Sequence, residues 1–166
     1  MSDEGIASLF NVVPIRPASA GVAKSRSEKK WSKPVMDSCG FCILPSLLLR
    51  AQRRLGLSAT QLALVIQLID FWWTEDQIPW PKKETLGQRL NLSDKQIQRL
   101  VRGLEQRGYV KRVPRKTLHG RTSNGYDLSG LVLELQKLAP EFSAAADAKR
   151  KVERRGGLKH AHGASG

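Results

Sequence analysis

The sequence predicts a mainly α-helical domain that carries one small β-hairpin and is flanked by flexible basic tails. Three observations lead there. Two capping boxes, Ser58-Ala59-Thr60-Gln61 and Ser93-Asp94-Lys95-Gln96, each stand directly before an apolar run of helical period. After Gly108 the period switches to alternation, in Tyr109-Val110-Lys111-Arg112-Val113 and again at Gly125-Tyr126-Asp127-Leu128. The charge is also concentrated: of a net +13 over 166 residues, residues 82–121 contribute +9, from twelve Lys or Arg against three acids.

Three regions follow from composition. Residues 1–38 are rich in Ser, Ala, Pro, Lys and Glu without a sustained period, and read as a disordered basic arm. Residues 39–139 hold the folded domain. Residues 140–166 form a charged extension, partly helical and then disordered in a Gly/His-rich end. Within the arm, the island ending Ser8-Leu9-Phe10 is either an accidental apolar patch or a short peptide resembling those by which replication proteins dock on the sliding clamp. In the second case the arm would contact replication or transcription machinery.

The elements of the domain can be taken in order. Pro45 to Leu55 reads as a first helix ending at Gly56, with Arg50, Arg53 and Arg54 outside. Ser58 opens a second helix through Trp73 that is apolar almost all round, as suits the middle of a core. The prolines of Ile78-Pro79-Trp80-Pro81 keep that stretch extended, in a short strand. A helix from Lys83 to Leu90 follows, and Asn91 suits a tight left-handed turn. From Ser93 the residues Ile97, Leu100, Val101 and Leu104 recur on one helical face. Rotation at the same period puts Lys95, Arg99, Arg102 and Gln106 opposite, with Gln96 and Gln98 on the flanks. Ser129 caps a last helix with Leu131, Leu135 and Leu138 on one stripe, interrupted at Pro140.

Two short helices joined by so tight a turn make a helix-turn-helix, and a hairpin directly behind it makes the whole a winged helix-turn-helix. Ser93–Arg107 is then the recognition helix, and Arg112–Arg121 the basic wing. Ser93, Lys95, Gln96, Gln98 and Arg99 are the candidates for base contacts in the major groove. Gln96 or Gln98 suits adenine, and Arg99 or Lys95 guanine, by donor and acceptor geometry. Lys82, Lys83, Thr85, Arg102, Lys111, Arg112, Arg115, Lys116 and Arg121 are the candidates for backbone phosphates.

The stretches Phe71-Trp72-Trp73, Trp80-Pro81, Leu86-Gly87-Gln88-Arg89-Leu90, Leu92-Ser93, Ile97-Gln98-Arg99, Leu104-Glu105-Gln106-Arg107-Gly108-Tyr109 and Asn124-Gly125-Tyr126 carry a resemblance. They resemble the winged helix-turn-helix proteins of bacterial mobile elements, namely phage and plasmid replication initiators and related transcriptional regulators. Those proteins usually have a small hydroxyl residue after the Pro81 equivalent, where this chain has Lys82. The resemblance implies a DNA-binding fold, and it agrees with the periodicity on Ser93, Lys95, Gln96 and Arg99 as groove-facing.

Other function classes find less support. The sequence pI of about 10.3 would also suit an anionic membrane. The excess charge, however, sits in the predicted reading head, and the longest apolar run, Cys42 to Leu49, contains Pro45 and stops at Arg50. Cys39-Gly40-Phe41-Cys42 lacks the second ligand pair of a structural zinc site, so neither metal nor cofactor is expected. No HExxH, Walker loop or nucleophile elbow occurs, and the chain reads as a non-enzyme. An acidic N-terminus without an apolar core, together with two cysteines, points to a bacterial cytoplasm and association with the nucleoid. The sequence-based expectation is a sequence-specific duplex-DNA-binding transcriptional regulator, with a homodimer left open. The alternatives are a plasmid or phage replication-initiation or partition factor, and a nucleoid-type DNA-coating protein.

Overall fold

The computed structural model describes residues 27–117, 120, 121, 123–154 and 156, with the backbone alone at 116, 117, 120 and 121. The Ser8-Leu9-Phe10 island, the first part of the arm and the Gly/His-rich end lie outside the described residues. The chain divides into two units, residues 1–41 and 42–166.

In the first unit the described part of the expected disordered arm is helical. Residues 27–31 are helical, and α1 follows at Lys33–Cys39. The local reason is Pro34, which occupies the first turn, where its fixed φ fits and its missing N–H costs nothing. The Ser32 N–H meanwhile donates to the Glu28 carbonyl at 2.9 Å. These bonds are local, and no sustained apolar period announces them.

The second unit builds the core. Helix α2 is Ser46–Arg50, α3 Ala59–Asp70, α4 Lys83–Leu90 and α5 Asp94–Gln106. Strands β1 Lys111–Val113, β2 Lys116–Thr117, β3 Gly120–Arg121 and β4 Gly125–Asp127 form the hairpin, and α6 Ser129–Arg154 closes the chain. Leu64, Val65 and Leu68 of α3 are fully buried against Leu48, Leu86, Ile97, Leu104, Tyr126 and Leu131, so α3 does lie at the centre. Burying a side chain of that size contributes roughly 1.5–3 kcal/mol, which is why an apolar α3 dictates where its neighbours pack.

Both capping boxes form. At Ser58 and at Ser93 the hydroxyl accepts the N–H of the residue three on, and that glutamine's side chain accepts the cap's own N–H. Asn91 adopts the left-handed conformation, φ 53 and ψ 48, and turns the chain between α4 and α5. The turn closes tightly. The Leu92 N–H donates to the Gly87 carbonyl at 2.9 Å, and a Cβ at Gly87 would stand only 2.6 Å from the Leu92 carbonyl oxygen.

Several boundaries differ from the sequence reading. The first helix ends at Arg50 instead of Leu55, because residues 51–56 wind as turns held by a bond from the Gln52 side chain to the Leu57 carbonyl at 3.2 Å. Helix α3 stops at Asp70 rather than Trp73. Ile78–Pro81 is not a strand, since its prolines cannot donate. Its carbonyls are tied instead to the wing, that of Pro79 by the Tyr126 N–H at 2.8 Å and that of Trp80 by the Ser123 hydroxyl at 3.2 Å. Pro140 does not interrupt the last helix, which runs through it. The residue is exposed, so water can satisfy the carbonyl that loses its donor, and the adjacent Glu141 is held by a bidentate pair with Arg54 at 2.6 and 3.0 Å.

Candidate nucleic-acid interface

The site is organised by α5. Its inner stripe, Ile97, Val101 and Leu104, is at most 2% exposed, and this fixes the helix's rotation about its own axis. The outer face therefore presents Lys95, Gln96, Gln98, Arg99, Arg102 and Gln106, all exposed. Among the described residues, the side chains of Lys95, Gln98 and Arg99 hold no hydrogen bond or ion pair.

Ser93 and Gln96 are brought together, and this limits what each can do. The Gln96 Oε1 accepts the Ser93 N–H at 2.9 Å and the Ser93 hydroxyl at 3.0 Å, while the Ser93 Oγ also accepts the Gln96 N–H at 3.4 Å. A glutamine reads adenine in a bidentate manner, with its oxygen accepting from N6 and its nitrogen donating to N7. With its oxygen engaged in the cap, Gln96 retains only the donor half. Of the two glutamines, Gln98 keeps the full amide for a base edge.

The wing is fixed by register. Lys111 lies opposite Asp127, Arg112 opposite Tyr126 and Val113 opposite Gly125. Further out, the backbone sets Lys116 opposite Arg121 and Thr117 opposite Gly120.

Arg112 was expected on a phosphate, but it is committed to Glu105. Its Nε donates to Oε1 at 2.7 Å, its Nη2 to Oε2 at 2.6 Å, and its backbone N–H to Oε1 at 3.3 Å. These hydrogen bonds hold the Glu105 carboxyl below its ordinary pKa and raise that of Arg112. Burial pushes Tyr126, the cross-strand partner of Arg112, upward. The pair ties the last turn of α5 to the first wing strand. Periodicity could not reveal this, because the two residues meet across a change of element.

Arg115 lies over the Trp80 ring, with its guanidinium carbon 4.2 Å from the centroid. Lys82 and Lys83 stand at the start of α4, where no side chain caps the first turn, and Thr85 follows one residue beyond Glu84. The uncapped N–H groups there add partial positive charge to that of the lysines. Arg89 is turned the other way: it donates to Asp70 at 2.8 Å and Gln67 at 3.1 Å, buttressing α4 on α3. Among the described residues no group of His, Cys, Asp and Glu could hold a metal ion, and no helix is long and apolar enough to cross a membrane.

A central apolar helix, two helices joined by a left-handed turn, an outward basic helix face and a trailing hairpin define a winged helix-turn-helix protein. The chain belongs to the family described as the DnaD N-terminal domain, whose model matches residues 44–145. Among solved structures it is similar to the N-terminal domain of the DnaD protein from Geobacillus kaustophilus HTA426, at 21% identity and TM-score 0.49, over 80% of this chain and 99% of that one. It is also similar to the multiple antibiotic-resistance repressor MarR from Listeria monocytogenes 4b F2365, at 17% identity and TM-score 0.40, over 87% of this chain and 86% of that one. No curated protein matches it.

Proposed function

We propose that this chain binds double-stranded DNA sequence-specifically, with α5 in the major groove and the wing on the flanking backbone. The observation that carries this reading is the outer face of α5. Elsewhere in the fold Arg54, Arg89 and Arg112 are paired with acids. Lys95 and Arg99 are exposed without a partner among the described residues, and Gln98 stands beside them with its amide uncommitted. Arg99 and Lys95 suit guanine, Gln98 suits adenine, and Lys82, Lys83, Arg102 and Lys111 suit phosphates. The reading is of a binding protein, not an enzyme.

Two roles stand on this head, transcriptional regulation and replication initiation, and membership of the DnaD N-terminal domain family favours the second. The test is selection of bound sequences from a random duplex pool by the full chain at near-physiological salt, where phosphate contacts alone no longer dominate. A sharp motif supports the proposal, and its position at an origin or a promoter separates the two roles. Two half-sites about 34–36 Å apart would add a homodimer. A flat pool with strong binding would replace the proposal with DNA coating, and absence of binding would refute it.

A further inference from the structure

The segment entering α4 carries an aromatic shelf that reading a duplex does not use. Pro79 and Pro81 are buried and hold Trp80 between them, yet Trp80 itself is 45% exposed. Its backbone is fixed from the wing, because the Tyr126 N–H donates to the Pro79 carbonyl and the Ser123 hydroxyl donates to the Trp80 carbonyl at 3.2 Å. One face of the ring is covered by the Arg115 guanidinium. A tryptophan that served only the core would be enclosed. This one has its backbone held, a guanidinium over one face of its ring and nearly half of its surface open to solvent, with Lys82 and Lys83 following in the chain.

We infer that Trp80, backed by Arg115, is a stacking platform for an unpaired base of single-stranded DNA adjoining the bound duplex. Within an intact duplex every base face is already stacked on its neighbours, so an exposed indole gains little there. An unpaired base has an open π-face, and any base can use it. The guanidinium polarises the ring and attracts the neighbouring phosphate, which gives the shelf a charge complementary to a nucleic-acid strand. Stacking on one aromatic side chain changes affinity by roughly 5- to 150-fold. The inference rests on the DNA-binding reading above and goes beyond it, from sequence to strand state.

The test uses the full chain and fluorescence anisotropy with three probes: a blunt duplex, the same duplex with an oligothymidylate tail, and the tail alone. The wild type should bind the tailed duplex roughly tenfold or more tightly than the blunt one. Trp80→Leu keeps an apolar side chain for packing but removes the π-face, and should abolish that ratio while leaving blunt-duplex affinity unchanged. Trp80→Phe should retain most of it. Equal binding of tailed and blunt duplexes by the wild type would overturn the shelf while leaving duplex reading intact. A ratio in Trp80→Leu as large as in Trp80→Phe would overturn it as well. Binding of the tail through Trp80 without binding of the blunt duplex would instead support the shelf and refute the duplex reading.

Discussion

Replacing Glu105 with glutamine removes one negative charge from the strut between α5 and the wing and leaves its shape. A contact pair at an effective dielectric of about 20 has a gross attraction of about 4 kcal/mol. Most of that is offset by lost hydration and by the entropy of holding two side chains. The Arg112 side chain is 38% exposed and that of Glu105 24%, so solvent screens the pair further. The bidentate geometry places it at the upper end for such pairs, and the amide oxygen of glutamine keeps one acceptor. The expected cost of Glu105→Gln is therefore about 0.5–1 kcal/mol. In a domain of this size that lowers the melting temperature by about 2–5 °C. The pH dependence has a defined sign. The Arg112 guanidinium holds the folded carboxyl below the usual glutamate range, so its stabilisation is present above that range and is lost as pH falls through the folded pKa. Urea denaturation of the wild type, Glu105→Gln, Arg112→Gln and the double variant, at neutral and at acid pH, measures the coupling. A coupling near zero at neutral pH, or a Glu105→Gln deficit that persists once the carboxyl is protonated, would refute the strut.

Gly130→Ala should destabilise severely, by about 2–4 kcal/mol or to the point of not folding, despite alanine's better helix propensity. A Cβ at residue 130 runs into the Gly108 carbonyl oxygen, a backbone atom that no rotamer change can move; circular dichroism on heating reads the loss. Ser93→Ala opens the cap of α5 and should cost about 1 kcal/mol in chemical denaturation. The same variant removes the hydroxyl donor to the Gln96 oxygen, which still accepts the backbone N–H of residue 93. Lys83→Ala should weaken every duplex alike and lower the slope of log K against log salt by about 1, as measured by titration at several salt concentrations.

The architecture was legible because its signals are local and repeat. The capping glutamines at 61 and 96, the left-handed Asn91 and the stripe Ile97, Val101, Leu104 each mark an element within a few residues, and all agree on one fold. What the sequence did not show depends on pairs far apart in the chain. Arg112 looks like any wing cation until Glu105 is seen across the helix end, and Trp80 looks like one residue of a short proline-held strand until its exposure and Arg115 are seen. Gln96 was doubly suited, to a cap and to a base, and sequence alone could not rank the two uses. Pro140 misled for a related reason: its cost depends on whether the orphaned carbonyl meets water, which is a property of the packed surface. Residues 27–31 and 33–39 took helical form through local bonds and Pro34, with no buried stripe to announce them.

The central claim is that the outer face of α5 reads base edges. The most direct measurement compares Arg99→Ala with the wild type on the selected duplex and on random duplex of the same length at the same salt. The expected result is a loss of about 1–3 kcal/mol on the selected duplex and a much smaller one on random DNA. Equal losses on both would mean that Arg99 grips phosphate and that α5 does not read sequence through it.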